Sequence, residues 1–160
     1  MHGRDTAGAF RSLTFTEQVQ TVAHDLQASF WEESAIVIAN SFGAYLFLHA
    51  QMLLPAYIGR VLLLSPIVGE FSNDEWAMGF SPPQPDKLRK MVESGNYSAP
   101  QHCEIHVGAQ DWQSVPSNVL ALANCLSIPV LIVPSTGHIL DNGYVSDVLD
   151  RWLLVRTESV

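Results

Sequence analysis

Several residue types are scarce in this chain of 160 residues, and each scarcity excludes a class of protein. Only two cysteines occur, Cys103 and Cys125, which are too few for a disulfide framework or a thiolate zinc site. We expect both to be reduced, buried small residues, as suits a cytoplasmic protein. Charged residues make up 15% of the chain and apolar residues 48%, which excludes a disordered tail and predicts a well-buried core.

Basic residues are also scarce. Eight lysines and arginines stand against sixteen acids, for a formal net charge of −8. Because this charge would repel a polyanion such as DNA, no nucleic-acid partner is expected. The chain contains neither G-x-G-x-x-G nor G-x-x-x-x-G-K. A flavodoxin-like nucleotide binder is therefore only a weak alternative, because nucleotide-binding proteins of these classes need such a phosphate loop.

Long hydrophobic runs are missing as well. The most apolar stretch covers residues 44–54, is interrupted by His49 and Gln51, and stops at Pro55. It is too short and too interrupted to span a bilayer. The first eight residues contain no apolar signal region. These features predict a cytoplasmic protein without a membrane partner.

What is present is a regular alternation of short β-branched runs with amphipathic runs, which is typical of a parallel sheet wrapped by helices. A capping box at Thr14 and Glu17 predicts the start of the first helix. Strands are predicted at 35–39, 60–65, 103–108 and 129–134. Helices are predicted at 14–30, 43–53, 85–94, 116–126 and 143–155. We therefore expect a single α/β domain over residues 1–160, with about four parallel core strands flanked by helices.

Reactive residues follow three of these strands, at the carboxyl ends where the chemistry of such sheets gathers. Ser41 follows the first predicted strand, Asp111 the third and His138 the fourth. A hydroxyl is a weak nucleophile near neutral pH, so it needs an imidazole to take its proton and a carboxylate to orient that imidazole. The order Ser–Asp–His at strand ends is therefore typical of a serine hydrolase.

Each of the three residues also has a purely structural interpretation. Ser41 stands before a predicted helix, where serine is a common N-cap. Asp111 would then cap a turn, and His138 would be a surface loop residue. The turn A-N-S-F-G also differs from the nucleophile elbow G-x-S-x-G, since Ala39 replaces the first glycine. Small residues at Ala39 and Gly43 are expected because the strained turn crowds its neighbours.

Together these segments resemble the C-terminal part of an α/β-hydrolase fold protein. The matching stretches are I-V-I-A-N-S-F-G-A, V-G-A-Q-D-W-Q-S-V-P and V-L-I-V-P-S-T-G-H. The resemblance implies that Ser41 is the nucleophile, Asp111 the triad acid and His138 the base. It also implies that the backbone amide of Phe42 is one donor of the oxyanion hole, and that neither a cofactor nor a metal is needed.

The same resemblance predicts where substrate would bind. The proline-rich segment 66–84 lies where family members often carry a lid or a substrate wall, and Trp76 lies within it. We expect Trp76 to contact substrate, together with Asn40 beside the nucleophile and Trp112 beside the acid. The alternative for Trp76 is that it only packs its loop against the domain.

The chain departs from the family in its N-terminal part. Family members carry further strands before the elbow, and a loop after one of them supplies the second oxyanion donor. Here 34 residues precede the first predicted strand, and one helix occupies half of them. Residues 2–5 (H-G-R-D) resemble the G-H-G-x-S loop, which lies later in the family. We therefore expect a reduced α/β-hydrolase fold, and a homo-oligomer, most simply a dimer, that buries the free edge of the first strand or the thinly covered face of the sheet.

Two functions remain open. The first is a serine hydrolase that cleaves a small-molecule ester, thioester or amide through an acyl-enzyme on Ser41. The second is a non-catalytic binding module of the same fold with an incomplete oxyanion hole.

Overall fold

The computed structural model of the protein describes residues 6–75 and 77–154. The helices in this part of the chain are α1 (Thr6–Arg11), α2 (Phe15–Ser29), α3 (Phe42–Gln51), α4 (Pro85–Glu93), α5 (Pro116–Leu126) and α6 (Asn142–Leu154). The strands are β1 (Ile36–Asn40), β2 (Arg60–Leu64), β3 (Phe71–Asn73), β4 (Met78–Phe80), β5 (His102–Gly108) and β6 (Val130–Val133).

The main sheet has four parallel strands in the order β1-β2-β5-β6, so the parallel α/β architecture predicted from the sequence is confirmed. The register places Asn40 beside Leu64, and Leu64 beside His106. At the other side of β5, Gly108 lies beside Val133. The strands therefore end near one another. The loops that follow β1, β5 and β6 meet at the carboxyl ends of the strands.

Two elements were not predicted from the sequence. The short helix α1 precedes α2, and β3 and β4 form an antiparallel hairpin inside the proline-rich segment 66–84. Each hairpin strand has only three residues, which is too short for a period of two to stand out. The four core strands lie within one residue of their predicted bounds, because each is an apolar run bounded by polar or turn residues.

The two faces of the sheet are covered unequally. Val61 and Leu63 of β2 belong to a large core cluster that also takes in residues of α2, α3, α4 and α5. Leu62 and Leu64 point the other way, into a smaller cluster with Val148 and Trp152 of α6. This alternation follows from the period of two in a strand, and it explains why residues 61–64 of β2 are all apolar.

Polar contacts also hold α6 on its face of the sheet. Arg60 at the start of β2 lies 4.4 Å from the ring of Trp152 and donates a hydrogen bond to the carbonyl of that residue. Buried His106 on β5 is hydrogen-bonded to Tyr144 of α6. Since α6 begins just after the loop that carries His138, these contacts also limit how far that loop can move.

One expectation about the cysteines was wrong. Cys125 is exposed, whereas Cys103 is partly buried on β5. Helix α5 buries Val119 and Ala123, and at 100° per residue Cys125 lies on the opposite side of the helix. Burial raises the pKa of the Cys103 thiol to about 12.

The sequence analysis predicted that the most apolar stretch is too short to span a bilayer. None of the helices within residues 6–75 and 77–154 combines the length and the apolar character that crossing a bilayer requires.

Candidate active site

Ser41 lies at the sharp turn between β1 and α3, in a backbone conformation that a residue with a side chain rarely adopts. Its φ is 54° and its ψ is −122°. Such a conformation costs about 1–3 kcal/mol and persists only when the surroundings hold it. The Ser41 amide donates to the carbonyl of Leu64 at 2.9 Å, and the Ser41 carbonyl accepts from the amides of Tyr45 and Ile67.

The Ser41 hydroxyl is directed away from the helix it precedes. Ser41 is the N-cap residue of α3, yet its side chain makes no capping hydrogen bond. Its Oγ lies 2.8 Å from Nε2 of His138, a residue 97 positions further along the chain. The interpretation of Ser41 as a side-chain cap is therefore wrong, and the hydroxyl is available to the imidazole.

His138 joins Ser41 to Asp111. Its Nδ1 lies 3.1 Å from Oδ1 and 3.0 Å from Oδ2 of Asp111. An ionised carboxylate can only accept hydrogen bonds, so in this arrangement Nδ1 carries the proton. In a neutral imidazole the other nitrogen is then an acceptor, and the Ser41 hydroxyl donates to it. We refer to Ser41, His138 and Asp111 as the Ser–His–Asp cluster.

Asp111 is held as an anion although it is almost completely buried. The residue is 3% exposed, and its Oδ1 accepts from the backbone amides of Gln113 and Ser114 at 2.9 and 2.8 Å. Burial raises the pKa of this carboxyl, but the hydrogen bonds from His138, Ser114 and Gln113 outweigh burial and leave the pKa below its usual value. Asp111 thus both caps its turn, as the structural interpretation proposed, and orients His138.

Ser114 is a residue of this site that the sequence analysis missed. It is fully buried, its amide donates to Asp111, and its hydroxyl donates to the carbonyl of Pro66. The loop after β5 is thereby tied to the loop after β2. The signal in the sequence was the spacing D-W-Q-S, because an aspartate often accepts hydrogen bonds from amides two and three residues ahead.

Phe42 is the first residue of α3, directly after Ser41. The first amides of a helix have no partner within the helix and carry its positive partial charge. The role of the Phe42 amide as an oxyanion donor stays a prediction, and the position of Phe42 at the start of α3 is compatible with it.

Solved structures of hydrolases have the same fold as this chain. A monoacylglycerol lipase of Paleococcus ferrophilus superposes with a TM-score of 0.64 at 11% identity, over 89% of this chain and 76% of that one. A lipase-esterase related protein of Clostridium acetobutylicum gives 0.60 at 13% identity, over 86% and 75%. Esterase PE8 gives 0.56 at 16% identity, over 96% of this chain and 66% of that one.

The chain has the α/β-hydrolase fold. No family model and no curated protein sequence matches it, so the likeness lies in the structure alone. The chain spans about two thirds to three quarters of the three hydrolases named above.

Within this α/β-hydrolase fold, β1 is an edge strand. No strand precedes Ile36 in the described part of the chain, and β1 pairs only with β2 there. In α/β-hydrolases, as the sequence resemblance implies, the second oxyanion donor comes from a loop that follows one of the strands before the elbow. The described residues therefore supply the Phe42 amide, but not the strand that would carry a second donor.

One explanation offered for the elbow was wrong. The small residue at Gly43 was attributed to crowding, but apart from its chain neighbours and the backbone of α3, no described residue would lie within 4 Å of a Cβ added to Gly43. Crowding of a glycine by other backbone atoms is found instead at Gly108, at the end of β5. A Cβ there would lie 2.3 Å from the carbonyl oxygens of both Thr136 and Gly137, which precede His138.

Two of the three residues predicted to contact substrate lie among the described residues. Asn40 is exposed at the end of β1, directly before Ser41. Trp112 is partly buried and packs edge-on against Phe71 of the hairpin, with 5.4 Å between ring centroids. Trp76 lies outside the described residues. Substrate binding by these three residues stays a prediction.

Among residues 6–75 and 77–154, no group of three or more histidine, cysteine, aspartate or glutamate side chains is arranged to hold a metal ion.

Proposed function

We propose that this protein is a serine hydrolase that cleaves an ester, thioester or amide of a small molecule through an acyl-enzyme on Ser41. One observation carries the proposal: the Ser41 hydroxyl does not cap α3 but donates to His138, whose other nitrogen donates to buried Asp111. The hydrolase neighbours are consistent with this activity.

The reaction would proceed in two halves. Ser41 Oγ attacks the carbonyl carbon while its proton passes to Nε2 of His138, and the carbonyl oxygen becomes an anion near the Phe42 amide. His138 then gives the proton to the leaving alcohol, thiol or amine, and the bond to that group breaks. Water repeats the sequence on the acyl-enzyme, which releases the acid and restores Ser41. Asp111 stabilises the imidazolium throughout.

The second candidate is a binding module without catalysis. It is favoured by the position of β1 at the edge of the sheet, since the strand that would carry a second oxyanion donor is not among the described residues. Loss of one such donor typically costs about 10²–10³-fold in rate. Such a loss would slow attack by Ser41 on a substrate carbonyl and on an electrophilic serine probe alike.

A fluorophosphonate probe, which labels activated serines, distinguishes the two candidates. We expect the probe to label the wild-type chain, and labelling to disappear in Ser41→Ala. Ser127→Ala is the matched control, because Ser127 is also a serine with a positive φ, of 56°, but caps the far end of α5. If the folded wild-type chain is not labelled, the binding module is the better description.

The predicted cytoplasmic location, the small-molecule partner and the absence of a nucleic-acid partner remain predictions. They rest on the composition and on the proposed chemistry.

A further inference from the structure

A large apolar residue directly follows each member of the Ser–His–Asp cluster in the sequence. These residues are Phe42, Trp112 and Ile139. Phe42 and Trp112 are partly buried, while Ile139 is 86% exposed. A single exposed isoleucine is ordinary, so Ile139 carries no argument, whereas Phe42 and Trp112 both have ring contacts with the β3–β4 hairpin.

The β3–β4 hairpin connects two of these neighbours through its own aromatic rings. Phe71 and Phe80 lie opposite each other in the hairpin, with 5.4 Å between ring centroids. Phe80 meets Phe42 edge-on at 6.1 Å, and Phe71 meets Trp112 edge-on at 5.4 Å. We call these four residues the aromatic arch, because they form an unbroken chain of ring contacts from beside Ser41 to beside Asp111.

The arch is only partly covered by the protein itself. Phe80 is 37% exposed and its hairpin neighbour Met78 is 49% exposed. Edge-on and tilted ring contacts leave ring faces open, and such faces favour a further aromatic ring over a polar group. The open apolar surface therefore lies beside the reactive groups rather than at a random place on the chain.

The charge around the arch disfavours anionic substrates. No lysine or arginine occurs in the sequence between Arg60 and Lys87, whereas Glu70, Asp74 and Glu75 lie in or beside the hairpin and are exposed. With a net charge of −8 over the chain, an acyl group that carries a carboxylate or a phosphate would be repelled on approach.

We propose that the aromatic arch is the acyl-binding subsite of the hydrolase and that it selects neutral acyl groups carrying an aromatic ring. The proposal rests on the proposed function, because an acyl group lies at the arch only when its carbonyl is at Ser41. Phe80 is then the specificity-determining residue, since it is the most exposed ring of the arch and contacts Phe42.

The experiment compares p-nitrophenyl esters of acetic, phenylacetic and 4-carboxyphenylacetic acid. We expect kcat/KM for the phenylacetate to exceed that for the acetate by about tenfold or more, which is typical of one apolar group filling a pocket. The carboxylated ester should react more slowly than the phenylacetate. In Phe80→Ala the ratio of kcat/KM for the phenylacetate to kcat/KM for the acetate should fall most of the way towards one.

Leu53→Ala is the matched control, because Leu53 is also an exposed apolar residue, 51% exposed, but lies past the far end of α3. It should keep the phenylacetate preference. If the wild-type chain hydrolyses the acetate through Ser41 but shows no preference for phenylacetate, the arch proposal is wrong and the hydrolase proposal stands.

A second measurement needs no turnover. Phenylmethanesulfonyl fluoride and methanesulfonyl fluoride both sulfonylate an activated serine: the Oγ–S bond forms, fluoride leaves, and the imidazole takes the hydroxyl proton. We expect faster modification of Ser41 by the phenyl reagent, measured by intact mass, and equal rates in Phe80→Ala. Equal rates in the wild-type chain would overturn the arch proposal, and no modification by either reagent would overturn both proposals.

Discussion

Ser41 and Asp111 are each held in an unfavourable state by several ordinary hydrogen bonds. Ser41 keeps a positive φ because backbone groups of β2, α3 and the loop after β2 bind its amide and carbonyl. Asp111 keeps its charge while buried because two backbone amides and His138 donate to it. A strained backbone and a buried charge at one place are typical of a site kept for chemistry rather than for stability.

The first prediction tests the role of Asp111 in the proposed hydrolase. In Asp111→Asn the introduced amide can donate to Nδ1 of His138, which moves the imidazole proton to Nε2. That nitrogen then cannot accept from Ser41, so kcat should fall by on the order of 10⁴-fold. Ester hydrolysis under steady-state conditions measures the effect.

The control for this substitution is Asp147→Asn, because Asp147 is an exposed aspartate on α6. It should retain full activity. If Asp111→Asn folds and keeps more than about a tenth of the activity, Asp111 does not orient the base.

At the scale of elements, the loop after β6 is packed tightly against the end of β5. The amide of Gln110 donates to the carbonyl of Thr136 at 2.9 Å, and the amide of Ala109 donates to that of Val133 at 2.9 Å. Gly108 leaves no room for a side chain between these loops. The position of His138 therefore depends on a glycine 30 residues earlier in the chain.

We predict that Gly108→Ala lowers both stability and activity. The added Cβ would lie 2.3 Å from two backbone carbonyl oxygens, so the loop that carries His138 must move. Overpacking of this kind typically costs about 1–3 kcal/mol, which thermal unfolding would report as a lower Tm. Gly8→Ala in α1 is the control, since a Cβ there meets nothing within 4 Å, and its Tm should not fall.

Helix α3 contains a buried histidine that predicts a pH dependence of stability. His49 is 1% exposed and packs against the rings of Phe15 and Tyr45, and no described residue hydrogen-bonds its Nε2. Burial, with a smaller effect from Lys87, lowers the pKa of His49 from 6.5 to about 4. The residue is therefore neutral in the folded state near neutral pH.

At pH values between about 4 and about 6.5, His49 binds a proton in the unfolded chain but not in the folded chain. The free energy of unfolding should therefore fall as the pH is lowered from about 6.5 towards about 4. We predict that wild-type protein loses on the order of 1 kcal/mol more stability than His49→Phe between about pH 7 and about pH 5. Urea unfolding at both pH values measures this difference, and equal losses in the two proteins would contradict the prediction.

At the scale of the whole molecule, the sheet has one well-covered face and one thinly covered face. Among the described residues α6 alone contributes helix residues to the cluster on the second face. At the β1 edge of that face Ile38 is 46% exposed, and no described strand pairs with the outer side of β1. An unpaired apolar edge strand promotes association with another chain.

We propose that the 17.6 kDa chain forms a homo-oligomer, most simply a dimer, that buries the β1 edge. The interface should exceed about 1,000 Å². Sedimentation at micromolar concentration should give a mass near twice that of one chain, and Ile38→Lys should shift it to the monomer. Ile132→Lys, on the opposite edge strand β6, is the control and should leave the mass unchanged. A soluble wild-type monomer would refute the proposal.

Much of the architecture could be predicted because its signals are local. Thr14 and Glu17 form the capping box that their spacing predicted, with hydrogen bonds in both directions. Pro85 begins α4, and Gly95 follows its end with a φ of 71°. The hairpin and α1 could not be predicted, because their runs are too short for the strand or helix period to repeat often enough to be recognised.

The sequence by itself determined the alternation of strands and helices, and which residue types stand at the strand ends. It left open whether Ser41 capped a helix or faced an imidazole, because both interpretations satisfy the same local pattern. Only the tertiary structure decided this, because the contact of Ser41 with His138 joins residues 97 positions apart. The contact of His138 with Asp111 joins residues 27 positions apart. Such contacts depend on the strand register and on loop packing at Gly108 and Ser114, which no local period in the sequence encodes.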